Sequence, residues 1–142
     1  MNHLPEYIRH HLYLVIVTVI AAIVAMVFEL RSRSLGAAAI SPNTAIALHN
    51  KGALVLDVRN AEEYATGHII NAKNIVLEKL AEDAASLKKH REKPVVVCCE
   101  SGARSAQAAK QLKSLGFTQV VNLRGGLAAW RSDNLPLTTK KS

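Results

Sequence analysis

The sequence predicts an α/β domain, a mostly parallel sheet of about five short strands with helices on both faces, preceded by one transmembrane helix. Short apolar runs alternate with segments of helical composition between residues 41 and 138, which is typical of a parallel sheet covered by helices. An uncharged apolar stretch precedes them. The 142 residues, 49% hydrophobic and 20% charged, exclude disorder of the whole chain and leave room for one domain of ordinary size.

The amino-terminal apolar stretch predicts a membrane anchor. No formal charge lies between Arg9 and Glu29. A helix over residues 12–30 would reach roughly 28 Å, close to the thickness of a hydrocarbon core. Two alternatives stay open: a buried helix of a soluble core, and a cleaved signal peptide. The expected organisation is a tail over 1–11, a transmembrane helix over 12–30, a linker over 31–40, the α/β domain over 41–138 and a basic tail over 139–142.

Capping residues and glycines divide the first half of the domain. Ser41 followed by Pro42 predicts a helix that ends near Asn50, before Gly52. The apolar run 53–57 is too short for a helix and predicts a buried strand. The elements expected next are a short helix from Asn60 to Gly67, a strand at 74–76 and a helix over 78–90.

The second half contains the clearest strand, at residues 94–98, which hold three consecutive valines. The pattern that follows predicts a helix over 105–115, a strand at 120–123 and a last helix over 127–131. Since parallel strands collect ligands at their carboxyl ends, we expect the functional site there.

The charge pattern argues against a nucleic-acid partner. Eighteen Lys and Arg against eleven Asp and Glu give a net charge of +7. The basic residues are scattered, however, and aromatic residues make up only 4% of the chain, so no stacking platform is expected. The positive charge favours anionic lipid or small anionic substrates instead. Two arginines, Arg31 and Arg33, follow the apolar stretch, whereas only Arg9 precedes it. Because cytoplasmic flanks of membrane spans are richer in positive charge, this favours a cytoplasmic location for the carboxyl-terminal side.

Two adjacent cysteines, Cys98 and Cys99, end the valine-rich strand. They would close almost no loop, so a structural disulfide is not expected. The histidines lack the regular spacing of metal ligands, so we expect no metal and no cofactor. Because successive strand residues face opposite sides, one thiol should enter the core and the other the mouth of the sheet. Alternation alone does not decide which one.

The segment 99–105 leads from the strand into a helix and is the candidate site. Such a loop can turn its N–H groups inward to form an anion nest, and the helix start adds unpaired donors. These donors, together with Arg104, would lower the pKa of a cysteine there and favour the nucleophilic thiolate. Gly102 permits a conformation that a side chain would block. The alternative is a plain connection beside two buried cysteines.

At this loop the sequence resembles single-domain rhodaneses, the thiosulfate sulfurtransferase fold, and the resemblance spans about residues 41–138. Its preceding apolar helix is similar to that of the membrane-anchored rhodanese-like proteins of bacterial inner membranes. The motifs are Leu-Asp57-Val58-Arg59 with Glu63-Tyr64 and Gly67-His68-Ile69, the active loop in VVCCESGARS at 96–105, and GGLAAW at 125–130.

The resemblance implies that Cys99 is the nucleophile of a sulfurtransferase. Its thiolate would take a sulfur from thiosulfate or another sulfane donor, and the persulfide would pass it to cyanide, a thiol or a protein cysteine. Glu100 departs from what a dianionic donor favours, because a carboxylate beside the nucleophile opposes thiolate formation and dianion binding. The residues implied in donor binding are Glu100, Ser101, Gly102, Ala103, Arg104 and Ser105, and those implied in bracing the neighbouring loop are Asp57 and Arg59.

Two rival functions share parts of this pattern. Protein tyrosine phosphatases and arsenate reductases place five residues between cysteine and arginine, whereas four separate Cys99 from Arg104. A catalytically idle module that recruits partners at the membrane is the other rival, and the intact Cys99 and Arg104 argue against it. A persulfide-forming cysteine needs a reducing compartment, so we expect a single-pass protein of the inner membrane with its domain in the cytoplasm. The sequence identifies no membrane-protein partner, and a role for Cys98 in resolving the persulfide is a further hypothesis.

Overall fold

The structure, a computed structural model, describes residues 11–34 and 37–141. The chain divides into two units, Met1–Leu35 and Gly36–Ser142. The first unit contains helix α1 (Leu12–Ser34). The transmembrane helix predicted over 12–30 is not supported, because no helix within the described ranges combines the length and the apolar character that a bilayer crossing requires. The predicted tail over 1–11 lies outside the described residues except for His11.

The second unit is built on a five-stranded sheet in which every pairing is parallel. This confirms the predicted α/β class. The strands lie in the order β1-β5-β4-β2-β3, so β4, which ends at Cys98 directly before Cys99, is central. Their bounds are β1 (Ala38–Ile40), β2 (Leu54–Asp57), β3 (Lys73–Asn74), β4 (Val95–Cys98) and β5 (Val120–Leu123).

The helices of this unit begin where local capping places them. Ser41 accepts a hydrogen bond from the Thr44 N–H, with Pro42 at the first helical position, as predicted. Asn60 and Glu63 form a reciprocal capping box. The helices are α2 (Pro42–Asn50), α3 (Ala61–Thr66), α4 (Leu80–Asp83), α5 (Ala103–Ser114) and α6 (Gly126–Ser132).

Several expectations differ from the structure. Residues 31–34 of the predicted linker over 31–40 belong to α1. Ala38–Ile40 belongs to the predicted linker but forms β1, because its backbone pairs with the edge of β5 that would otherwise lie open. The strand expected at 74–76 is Lys73–Asn74. The helix expected over 78–90 is broken: α4 lies between two 3₁₀ segments, Leu77–Lys79 and Ala84–His90. The buried Ala84 and Leu87 are three residues apart, which matches the 3₁₀ repeat.

Side chains of β4 alternate between two buried clusters, one on each face of the sheet. Val95 and Val97 pack with Leu112 of α5. Val96 packs with Leu127 and Trp130 of α6 on the other face. Helices therefore cover both faces of the sheet, as predicted. The carboxyl end of β4 leads directly into the loop that contains the candidate nucleophile.

Candidate active site

The two adjacent cysteines lie on opposite faces of the sheet. Cys98 continues the Val96 side, and Cys99 continues the side of Val95 and Val97. Both are free thiols and both are fully buried. Burial raises the pKa of Cys98 well above its usual value, so that thiol stays protonated. The two thiols face opposite sides of the sheet, as strand alternation predicts, and Cys99 is buried beneath the loop that follows β4.

Two N–H groups and one hydroxyl of the active loop converge on the Cys99 sulfur. The Gly102 N–H lies 3.0 Å from Sγ, the Ser105 N–H 3.4 Å, and the Ser105 hydroxyl 3.3 Å. Burial raises the pKa of Cys99, but hydrogen bonds from Ser105, from Gly102 and from the Ser101 backbone outweigh it, and the net pKa lies below the usual value. The loop thus favours the thiolate.

A buried side-chain pair stands behind this loop. The Ser105 hydroxyl lies 2.5 Å from Oδ1 of Asn122 and 3.1 Å from the carbonyl oxygen of Gly102. The Asn122 amide in turn donates to that same carbonyl oxygen at 3.2 Å. Ser105 is fully buried and Asn122 is 8% exposed. Asn122 of β5 therefore connects the sheet to the middle and to the carboxyl end of the loop.

The amino terminus of α6 holds the first two carbonyl groups of the loop. The Leu127 N–H donates to the Cys99 carbonyl oxygen at 2.8 Å, and the Ala128 N–H donates to that of Glu100 at 3.0 Å. A Cβ atom on Gly126 would collide with the Cys99 carbonyl oxygen and lie 2.5 Å from that of Glu100. Glycine at this position lets α6 approach the loop closely enough to make both bonds.

Arg104, which the resemblance implied in donor binding, is paired with a carboxylate of α3. Its guanidinium forms two hydrogen bonds with the Glu63 carboxylate, at 2.8 and 2.9 Å. This pairing lowers the pKa of Glu63 to about 2 and raises that of Arg104. The reason is local: Glu63 is already held at the start of α3 by the capping box, so it offers a fixed carboxylate.

Glu100, the carboxylate next to the nucleophile, is also paired. Its oxygens accept hydrogen bonds from Arg131 at 2.5 and 3.2 Å, and Nη1 of Arg59 lies 3.6 Å away. Both arginines lower the pKa of Glu100, Arg131 most through its hydrogen bond. The negative charge beside Cys99 is therefore compensated, and its expected opposition to thiolate formation is reduced.

Asp57 and Arg59 form a buried ion pair at the end of β2. The Arg59 Nη2 group lies 2.8 Å from the Asp57 carboxylate and also donates to the Gly67 carbonyl oxygen at 2.7 Å. Both side chains are about 1% exposed or less. Through the Gly67 bond, this pair connects the end of β2 to the end of α3.

The rest of the loop provides backbone and shape. Gly102 takes φ +98°, in the region that favours glycine, and Ser101 and Ala103 are exposed. Sequence reasoning missed Glu63, Asn122 and Arg131 as members of the site. Glu63 was visible only within the motif Glu63-Tyr64 of the family resemblance, with no role in the site. The other two carry no local signal, because their partners lie 17 and 31 residues away along the chain.

Comparison with known proteins places this geometry in a family. The model of the rhodanese-like domain matches residues 41–133. The chain is 31% identical over 143 residues to the uncharacterized protein YibN of Escherichia coli K12, covering 99% of this chain and all of that protein. It is 40% identical over 95 residues to thiosulfate sulfurtransferase GlpE of Pseudomonas fluorescens, covering 66% of this chain and 84% of that one. A crystal structure of a rhodanese-related protein from Thermoplasma volcanium matches with a TM-score of 0.64 and 32% identity, over 72% of this chain and 99% of that one.

Proposed function

Because the chain belongs to the rhodanese-like domain family, we propose that it is a sulfurtransferase that carries a sulfane sulfur on Cys99. The observation that carries the proposal is the convergence of the Gly102 N–H, the Ser105 N–H and the Ser105 hydroxyl on one buried sulfur. The Gly102 and Ser105 N–H groups, which favour a thiolate, would also stabilise the negative charge of a persulfide. Relatives named thiosulfate sulfurtransferase support the reaction class.

The proposed reaction has two displacement steps. The Cys99 thiolate attacks the outer sulfur of thiosulfate, a new S–S bond forms, and sulfite leaves with the electron pair of the bond that breaks. A thiolate or cyanide then attacks the terminal sulfur of the persulfide, and the Cys99 thiolate is released. Another sulfane donor, such as the persulfide of a small thiol, enters the first step in the same way with its own thiolate as the leaving group.

The two cysteines provide the test. The full-length chain is assayed for thiocyanate formation from cyanide, with thiosulfate and with a thiol persulfide as donors. We expect turnover to be lost in Cys99→Ser and retained in Cys98→Ser, because Cys98 lies on the other face of the sheet and stays protonated. No turnover of either donor by the wild-type chain, with both thiols free, would refute catalysis and favour a binding module.

We further propose that residues 12–30 attach this domain to the bacterial inner membrane, with the domain in the cytoplasm. The support comes from the uncharged sequence between Arg9 and Glu29 and from the exposed apolar side chains of α1. Reduced cytoplasmic thiols would suit a persulfide carrier. Extraction of the membrane fraction with alkaline carbonate tests the attachment: retention is expected, and release into the supernatant would contradict it.

A further inference from the structure

We propose that Asn122 fixes the direction in which the Ser105 hydroxyl shares its proton and thereby restrains ionisation of Cys99. Asn122 would act as a positioning residue, because it reaches the sulfur only through Ser105. The inference rests on the proposed role of Cys99, but it makes a claim about proton sharing that needs no sulfur transfer to be tested.

The Ser105 hydroxyl has one proton and three neighbours able to accept it. Oδ1 of Asn122 lies at 2.5 Å, the Gly102 carbonyl oxygen at 3.1 Å and the Cys99 sulfur at 3.3 Å. Only one of them can receive a well-directed hydrogen bond at a time. The protonation state of Cys99 therefore depends on which of these acceptors receives the hydrogen bond from Ser105.

The amide of Asn122 settles the competition by its orientation. The Gly102 carbonyl oxygen can only accept, so the amide must present its NH2 group there, at 3.2 Å. Oδ1 then faces the Ser105 hydroxyl. Two oxygens 2.5 Å apart need a proton between them, so the Ser105 hydroxyl donates to Asn122.

The hydrogen bond from Ser105 to Asn122 favours the neutral thiol form of Cys99. With its proton committed to Asn122, the Ser105 oxygen turns a lone pair toward Sγ and can accept the S–H of the thiol. To stabilise the thiolate, the hydroxyl must leave Asn122 and donate to sulfur. Asn122 thus opposes the backbone donors of the loop, and removing its side chain should ease ionisation of Cys99.

Neighbouring charges should not respond to this substitution. The described hydrogen bonds of the Asn122 side chain join it to Ser105 and Gly102 and to no charged group. The titratable groups around the sulfur are Arg104 of α5 with its partner Glu63 of α3, Glu100 of the loop with Arg131 of α6, the Asp57–Arg59 pair after β2, and Cys98 of β4.

The test is a pH titration of the Cys99 thiolate by its ultraviolet absorbance in the full-length chain, held in mild detergent. A difference spectrum against Cys99→Ser isolates this thiol from Cys98. We expect Asn122→Ala to lower the apparent pKa of Cys99 by about half to one unit, the equivalent of one redirected hydrogen bond. Val121→Ala, next to it on β5 with its side chain in the cluster of the opposite face, is the matched control and should titrate like the wild type.

A second background separates proton sharing from a change in loop shape. In Ser105→Ala the hydroxyl is absent, so adding Asn122→Ala should leave the titration unchanged. An unchanged pKa in the single Asn122→Ala variant would overturn the proposal. So would a shift of equal size in the Ser105→Ala background, since Asn122 would then act through the Gly102 carbonyl. If Cys99 takes up no sulfur but its thiolate titrates as expected in these variants, the proposed function is refuted and the inference about Asn122 stands.

Discussion

Replacing Gly126 with alanine should destabilise the domain through a collision with the active loop. The added Cβ would overlap the Cys99 carbonyl oxygen and lie 2.5 to 2.6 Å from the carbonyl group of Glu100. Those carbonyl groups belong to backbone that α6 holds by hydrogen bonds, so they cannot move aside without breaking them. Overpacking of this kind costs about 1–3 kcal/mol.

A side chain in the left-handed region adds about 1–2 kcal/mol of backbone strain, which gives a total of roughly 2–5 kcal/mol. Gly116→Ala is the matched control, because Gly116 takes φ +94° and no atom lies within 4 Å of its Cβ position. It should lose only the strain. Gly126, at φ +61°, lies closer to the conformation that other residues tolerate, so strain alone would make its substitution the milder one.

Urea unfolding followed by tryptophan fluorescence measures both variants. Trp130 is the only tryptophan, and it is buried in the sheet-containing unit, so its signal reports on that unit. We expect Gly126→Ala to lose more unfolding free energy than Gly116→Ala and to react more slowly at Cys99 with iodoacetamide. An equal or smaller loss at Gly126 would refute the claim that close contact between α6 and the loop requires glycine.

Three further substitutions test the ion pairs around the site. Asp57→Asn leaves the buried Arg59 guanidinium without its carboxylate, so we expect urea unfolding to show a loss of about 3–5 kcal/mol. The depressed pKa of Glu63, about 2, means that its ion pair stabilises the fold above pH 4.5 and that this stability is lost as the pH falls toward 2. Glu63→Gln should remove that acid dependence, worth less than about 1 kcal/mol at this partly exposed pair. Glu100→Gln releases Arg131, so KM for thiosulfate should fall several-fold, on the order of one charge-assisted contact, while KM for an uncharged organic trisulfide stays constant.

Glu62→Gln is the control for the last two substitutions, because it removes the same charge from an exposed position of α3. It should preserve both the acid dependence and the KM for thiosulfate. The interpretation of Glu100 fails if Glu100→Gln and Glu62→Gln change that KM equally. A loss below 1 kcal/mol in Asp57→Asn would show that the pair is not a buried brace.

The parts of the fold that could be predicted depend on local signals. Ser41 and Asn60 cap helices through bonds to residues three positions away, so sequence patterns of a few residues identify them. β1 has no such signal: Ala38–Ile40 is a run of small residues whose strand conformation comes from pairing with β5, more than 80 residues further on. The break around α4 likewise depends on how its apolar residues pack.

The candidate site shows the same division. The loop 99–105 could be found because its backbone donors and its cysteine are contiguous in the sequence. The direction of the Arg104 side chain could not be predicted, because it depends on Glu63, which is 41 residues away along the chain. Asn122 lies within the strand predicted at 120–123, and nothing short of the tertiary structure brings its amide to Ser105.

The most direct test of the central claim is the intact mass of the full-length chain after incubation with thiosulfate or a thiol persulfide. We expect a gain of one sulfur atom in the wild type and in Cys98→Ser, its absence in Cys99→Ser, and its removal by cyanide. A gain that persists in Cys99→Ser, or no gain from either donor in a folded chain with free thiols, would contradict sulfur transfer through Cys99.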